Sequence, residues 1–324
     1  MSRLENLLVD FITAQRHEID MLHRQVDDLM FFHRLGDEAE IDLVSFTGPP
    51  PRRIPNPAAQ GAGNPVVLQA YVFIPRALDR SRRHPLVVHP HGGVHSNYGS
   101  NNANALRELI RQGYTVIAPD YRGSTGYGRP FFELIDYGGL ETEDTFAARQ
   151  FALDTYPFLD ETRVGIVGWS HGGLHALFNI FDHPDAYAAA YACVPVSDLV
   201  ARMAYKGPKY RELMEAAYHI GTTPEEDIAE YRRRSPSWQV DRYRGTPLLI
   251  HTNTNDEDVN VLEVERLVQA LQAAGKGESM AYRIYDAAPG GHRFNRLDTP
   301  FARESRAEAW RFLAAHLKPD NPQT

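Results

Sequence analysis

The chain has 324 residues, 43% hydrophobic and 23% charged, which is ordinary for a soluble globular protein of one large or two small domains. A formal net charge of −8 with no offsetting basic cluster argues against nucleic acid or an anionic membrane as partner. Cys193 is the only cysteine, which excludes an intrachain disulfide and suits a reducing compartment. No run approaches a membrane span, and Glu5, Asp10, Glu18 and Asp20 argue against a signal peptide, so the expected location is cytoplasmic.

From Ser2 to about Phe32 there is no Gly or Pro, and Leu4, Leu8, Phe11, Ile19, Leu22, Val26 and Leu29 fall mostly at steps of three and four, broken at Gln15. That pattern predicts one amphipathic helix or two within an N-terminal helical extension, residues 1–48. Its apolar stripe needs a cover, either the body of the same chain or a second copy in a homo-oligomer. Residues 49–65 are dense in Pro, Gly, Asn and Ala and read as a linker, with the main domain over 66–320. Beyond it, strands are expected at 66–74, 86–89, 115–118, 164–167, 188–194, 248–251 and 280–285. Helices are expected at 104–111, 143–156, 174–181, 261–274 and 303–317. This alternation predicts an α/β fold with a mostly parallel central sheet flanked by helices. Residues 197–243 break the rhythm with Tyr205, Tyr210, Tyr218, Tyr231 and Trp238 on short helical patterns, and read as a small helical cap insertion.

The strand at 164–167 runs into Gly168-Trp169-Ser170-His171-Gly172, a G-x-S-x-G sequence followed by a helical pattern. A strand-to-helix turn this tight gives its central residue a strained positive φ and pushes the side chain outward, which suits Ser170 as a nucleophile. A serine hydroxyl needs a base, and the base needs a third group to hold its tautomer, in the chain order Ser, acid, His. The strand at 248–251 leads to Asp256, Glu257 and Asp258. Asp256, three residues before Val259, is the preferred acid and Asp258 the runner-up; the unused acids would serve as N-terminal charge on the next helix. His292, behind Gly290 and Gly291 in the loop after the last strand, is the expected base, while His316 lies inside a helix. The main-chain N–H of His171 can serve the oxyanion, with a second donor from His91-Gly92-Gly93 after the strand at 86–89. His89, His91 and His95 have no cysteine and no clear carboxylate companion, so neither a metal nor a cofactor is expected.

His89-Pro90-His91-Gly92-Gly93, the run from Pro119 through Arg122-Gly123-Ser124-Thr125-Gly126-Tyr127-Gly128, the Ser170 motif, the Asp256 loop and Gly291-His292 together resemble the catalytic domain of the prolyl oligopeptidase family. That family includes dipeptidyl peptidases, acylaminoacyl peptidases and related esterases. The resemblance covers roughly residues 65–318 and implies an α/β-hydrolase fold, a Ser170–Asp256–His292 triad, and Gly93 and His171 as oxyanion N–H donors. In some members a tyrosine hydroxyl is the second donor, and here His91 stands near that place. Two departures stand out. The acid loop is one residue longer than usual, with Thr252 where the family often has Gly, and the residues before 65 look helical where the family's peptidases carry a β-propeller.

Three functions compete. The first is a carboxylesterase acting on small esters through an acyl-enzyme, preferred because no propeller is recognisable. The second is a propeller-free serine peptidase or aminoacyl amidase acting on short peptides. The third is a non-catalytic binding protein on a hydrolase fold, disfavoured because every triad position is filled.

Overall fold

The computed structural model describes residues 3–54 and 56–322; Met1 and Ser2 of the expected extension and Pro55 of the expected linker lie outside the described residues. Helix α1 (Arg3–Leu35) is a single 33-residue helix, uninterrupted at Gln15. Its last turns are docked: Phe31 and Leu35 are wholly buried, and Phe31 packs against the rings of Tyr71, Phe73 and Tyr98. Its first turns are bare, with Leu4 70% and Phe11 65% exposed.

Residues 39–48, expected in the helical extension, instead form strand β1 (Ala39–Gly48). It pairs antiparallel along its whole length with β2 (Val66–Pro75), from Ala39↔Pro75 to Gly48↔Val66. The period-two signal was present in Glu40-Ile41-Asp42-Leu43, where apolar residues alternate with acids. Residues 49–65 are therefore the loop of a hairpin inside the sheet, not a link between two bodies. This loop is pinned to the body where Arg122 donates to the carbonyls of Pro49 and Pro50 while pairing with buried Asp144.

The other strands are β3 (His84–Val88), β4 (Thr115–Asp120), β5 (Leu159–Trp169), β6 (Ala189–Cys193), β7 (Leu248–Asn253) and β8 (Met280–Tyr285). The sheet order is β1-β2-β4-β3-β5-β6-β7-β8, with β2 antiparallel to β1 and β4 and the remaining pairs parallel. The chain moves outward from β3 to β4 and then returns to the other side of β3 as β5. Such a reversal opens a crevice at the strands' carboxyl ends, and it sets the loops after β3 and β5 side by side.

The helices after α1 are α2 (Ala103–Gln112), α3 (Arg129–Phe132), α4 (Leu140–Thr155), α5 (His171–Asp182), α6 (Leu199–Tyr205), α7 (Pro208–Glu215), α8 (Ile228–Arg233), α9 (Val261–Ala273) and α10 (Pro300–Leu317). One sheet face is covered by Ala148, Ala152, Leu177, Ile180, Val264 and Leu267 of α4, α5 and α9. The other is covered by Leu106, Leu109, Trp310 and Leu313 of α2 and α10 with the end of α1. A third cluster seats residues 197–243 on Leu174 and Phe178 of α5 through Leu199, Met203, Met214 and Tyr231. Among the described residues no helix is long and apolar enough to cross a membrane.

Candidate active site

β5 delivers Ser170 into a turn with φ 59° and ψ −120°, a conformation that costs an L-residue strain and persists only when its surroundings impose it. The imposing contacts are backbone ones. Ser170 N donates to Cys193 O at 2.9 Å, and Ser170 O accepts from Gly173 N at 2.9 Å and from Leu174 N and Val196 N at 3.2 Å. A Cβ on Gly168 would stand 1.9 Å from Gly172 O, and one on Gly172 would stand 2.5 Å from Pro90 O. Closure of the turn thus dictates Gly168, and the close approach of the Pro90–His91 backbone dictates Gly172. α5 begins at the next residue, so its free N–H groups and positive dipole end face the serine.

His292 lies in the turn after β8, with its Nδ1 2.8 Å from Asp256 Oδ2 and 3.0 Å from Oδ1. The Asp256 carboxylate is buried, and its Oδ1 also accepts from Asp258 N and Val259 N at 2.8 Å each. Those amide bonds fix the carboxylate before it meets the imidazole. Asp258 takes the opposite side of the ring: its Oδ2 is 3.5 Å from His292 Nε2, and its Oδ1 pairs with Arg202 at 3.2 Å and with Lys206. Burial opposes ionisation of Asp258, but the Lys206 hydrogen bond and the charges of Arg202, His292 and Lys206 outweigh it and hold the carboxyl below its ordinary value. Among the described residues the ring hydrogen bonds of His292 go to Asp256 alone, and none joins it to Ser170. Such bonds are often long in an unliganded site and tighten with substrate.

Three side-chain amides missed in the sequence hold these loops together. Trp169 Nε1 donates to Asn295 Oδ1 at 2.9 Å, tying the residue before Ser170 to the His292 turn. Asn253 and Asn255 donate to Gly291 O and Ala288 O at 3.1 and 3.0 Å, clamping the acid loop to the base loop. Nothing in the sequence separates these asparagines from ordinary turn residues.

Gly92 lies against the serine turn, where a Cβ would come 2.7 Å from Trp169 O and 3.3 Å from Ser170 Cβ, and Gly93 follows with φ +76°. The His91 ring points into the body. It stacks on Tyr121 at 4.2 Å, with Nε2 2.8 Å from Ser124 Oγ and Nδ1 3.1 Å from Tyr121 OH. Burial pushes it down to about 3, so it is a neutral ring committed to core partners. His89 faces Tyr98, and His95 stacks on Phe132 with Nδ1 2.8 Å from Gly123 O, so the three loop histidines diverge. The His171 ring is buried behind its own main chain, 3.5 Å from Glu141 Oε1.

A model of the prolyl oligopeptidase family matches residues 100–320. The chain belongs to the prolyl oligopeptidase family. Membership brings the α/β-hydrolase fold and the serine-hydrolase class. The match begins after the His91-Gly92-Gly93 loop, so that loop is read from its geometry. The chain is 27% identical over 255 residues to the uncharacterized peptidase YuxL of Bacillus subtilis, covering 78% of this chain and 37% of that protein. It is 29% identical over 262 residues to dipeptidyl aminopeptidase BIII of Pseudoxanthomonas mexicana, covering 77% and 37%. The solved acylaminoacyl peptidase of Pyrococcus horikoshii superposes with a TM-score of 0.71 at 20% identity, covering 87% of this chain and 42% of that chain. The chain thus spans well under half the length of the curated relatives it matches. These relatives are named as peptidases, and they favour the peptidase alternative over the carboxylesterase reading preferred from the sequence.

Proposed function

We propose that this chain cleaves amide bonds of short aminoacyl or peptide substrates by acyl transfer to Ser170. The observation that carries acyl transfer is the Asp256–His292 pair, presented at the same sheet edge as the strained Ser170 turn, and the choice of amide over ester is supported by the relatives' names as peptidases. In this mechanism Ser170 Oγ attacks the scissile carbonyl carbon as its proton passes to His292 Nε2. Asp256 holds the Nδ1–H and stabilises the imidazolium that forms. The oxyanion is received by the His171 N–H, at the start of α5, and by an amide of Gly92 or Gly93. A ring donor from His91 is disfavoured because both its nitrogens have core partners. The imidazolium then protonates the leaving amine, and water, activated by the same ring, hydrolyses the acyl-enzyme.

Residues 197–243 act as a cap over this edge, since Arg202 and Lys206 reach the acid loop from it. A cytoplasmic setting is supported by the single cysteine, and self-association by the bare first turns of α1.

A panel of aminoacyl and N-acyl-aminoacyl p-nitroanilides beside p-nitrophenyl esters tests the reading. Anilide turnover that disappears in Ser170→Ala supports it; ester turnover with no anilide cleaved across the panel would return the function to carboxylesterase.

A further inference from the structure

We propose that Glu141, His171 and His175 form a site for one divalent transition-metal ion, zinc or cobalt in character, directly behind the nucleophile turn. Glu141 comes from the first turn of α4, and the two histidines lie one turn apart on α5, the spacing that puts two imidazoles on one helix face. All three residues are buried, and one ligand atom from each lies within 4.8 Å of the others. The Glu141 Oε1 to His171 Nε2 distance of 3.5 Å is long for a hydrogen bond. It matches the edge of a tetrahedron built from bonds of about 2.1 Å, which is roughly 3.4 Å.

Among the described residues neither ring nitrogen of His171 has a hydrogen-bond partner, nor has Nε2 of His175, although these residues are 2% and 0% exposed. Buried polar atoms without partners are costly and uncommon, and the two imidazole rings meet edge to face at 4.9 Å beside Glu141. His175 Nδ1 is 2.8 Å from Thr145 Oγ1, so with the proton on Nδ1 that bond orients the ring and leaves the Nε2 lone pair for an ion.

Charge adds a further argument. Of the buried carboxylates around the start of α4, Asp136 pairs with Arg52 and Arg234, and Asp144 pairs with Arg122. Glu141 has no lysine or arginine ion pair among the described residues; its oxygens accept only from the amides of Gly138 and Gly139, leaving lone pairs free. A divalent ion would supply the missing positive charge, with a water completing four-coordination. Because the site is closed, the ion would enter as the chain folds.

The test is metal content, which reads the same whether or not any substrate is turned over. The full chain is refolded with zinc or with cobalt, passed over a chelating resin, and analysed by plasma mass spectrometry and visible absorption. The expected result is ~1 ion per folded chain, with the intense visible bands of tetrahedral cobalt. Glu141→Gln and His175→Gln should each abolish retention, and Thr145→Val should weaken affinity by roughly tenfold or more. A folded native chain that retains no metal overturns the site. Unchanged retention in folded Glu141→Gln and His175→Gln also overturns it, by placing the ion elsewhere. If those variants do not fold, the native cobalt spectrum decides, and an octahedral or absent signal counts against the site.

Discussion

Both carboxylate oxygens of Asp256 lie against Nδ1 of His292, at 2.8 and 3.0 Å, while the carboxylate of Asp258 lies 3.5 Å from the opposite ring nitrogen. The two acids thus have separable tasks. Asp256 can fix the tautomer in which Nε2 is free to accept a proton; Asp258 is bound to Arg202 and Lys206 and can fix neither. Asp256→Asn should lower kcat by about 10⁴, whereas Asp258→Asn should stay within about tenfold of the native rate. Steady-state kinetics with the best anilide substrate measures both, and the reverse ranking would transfer the role to Asp258.

The serine turn should be intolerant of a single methyl group. Gly172→Ala would place a Cβ 2.5 Å from Pro90 O, a backbone atom that cannot swing away. The cost should be about 2–4 kcal/mol in urea denaturation. Gly207→Ala is the control: among the described residues nothing lies within 4 Å of a Cβ there, and φ is −72°. It should change stability by no more than about 0.5 kcal/mol.

Acid should loosen the contact between the hairpin loop and residues 197–243. Glu230 pairs with Arg52 from the loop and with Arg233 and Arg234 beside it. Its carboxyl is pulled down from 4.5 to about 2, first by the Arg233 hydrogen bond, against burial, and then by the charge and hydrogen bond of Arg234. A group lowered on folding adds stability above its unfolded value, and that stability is lost as pH falls through the folded value. Native melting temperature should therefore fall between about pH 4.5 and 2 more steeply than that of Glu230→Gln. Parallel slopes would remove Glu230 as the anchor.

The bare turns of α1 predict self-association. Leu4, Leu8 and Phe11 are 70%, 56% and 65% exposed, while Phe31 and Leu35 belong to the core. Truncation must stop short of these, so deletion of residues 2–15 is the informative change. The native chain should exceed its 36.6 kDa monomer mass in light scattering, and the truncated chain should be monomeric. A monomeric native chain, or an unaltered assembly after truncation, would sink the oligomer.

The strands from β2 to β8 were legible because each carries a short apolar run, buried from end to end in β3, β4, β6 and β7, and Met280–Tyr285 matches its expected bounds although β8 is a half-exposed edge strand. β1 was missed because it follows 33 residues of helical pattern and precedes a Pro-rich loop, so its four-residue alternation was absorbed into the extension. At the site, the serine turn announced itself through two glycines, one required by the turn's own backbone and the other by the backbone of the loop after β3. The clamps Trp169–Asn295 and Asn253–Gly291 left no sequence signal, since each joins residues 126 and 38 positions apart. Glu141 was illegible for the same reason: its neighbours His171 and His175 come from another helix.

The nucleophile is the point on which the rest depends. Native protein treated with a fluorophosphonate probe and digested for mass spectrometry should carry the label on Ser170, and anilide turnover should fall in step with labelling. Ser170→Ala should fold as the native chain does, take no label, and lose about 10⁴ or more in turnover. Well-folded native protein that stays unlabelled, or a Ser170→Ala variant that labels and turns over at the native rate, would contradict the account.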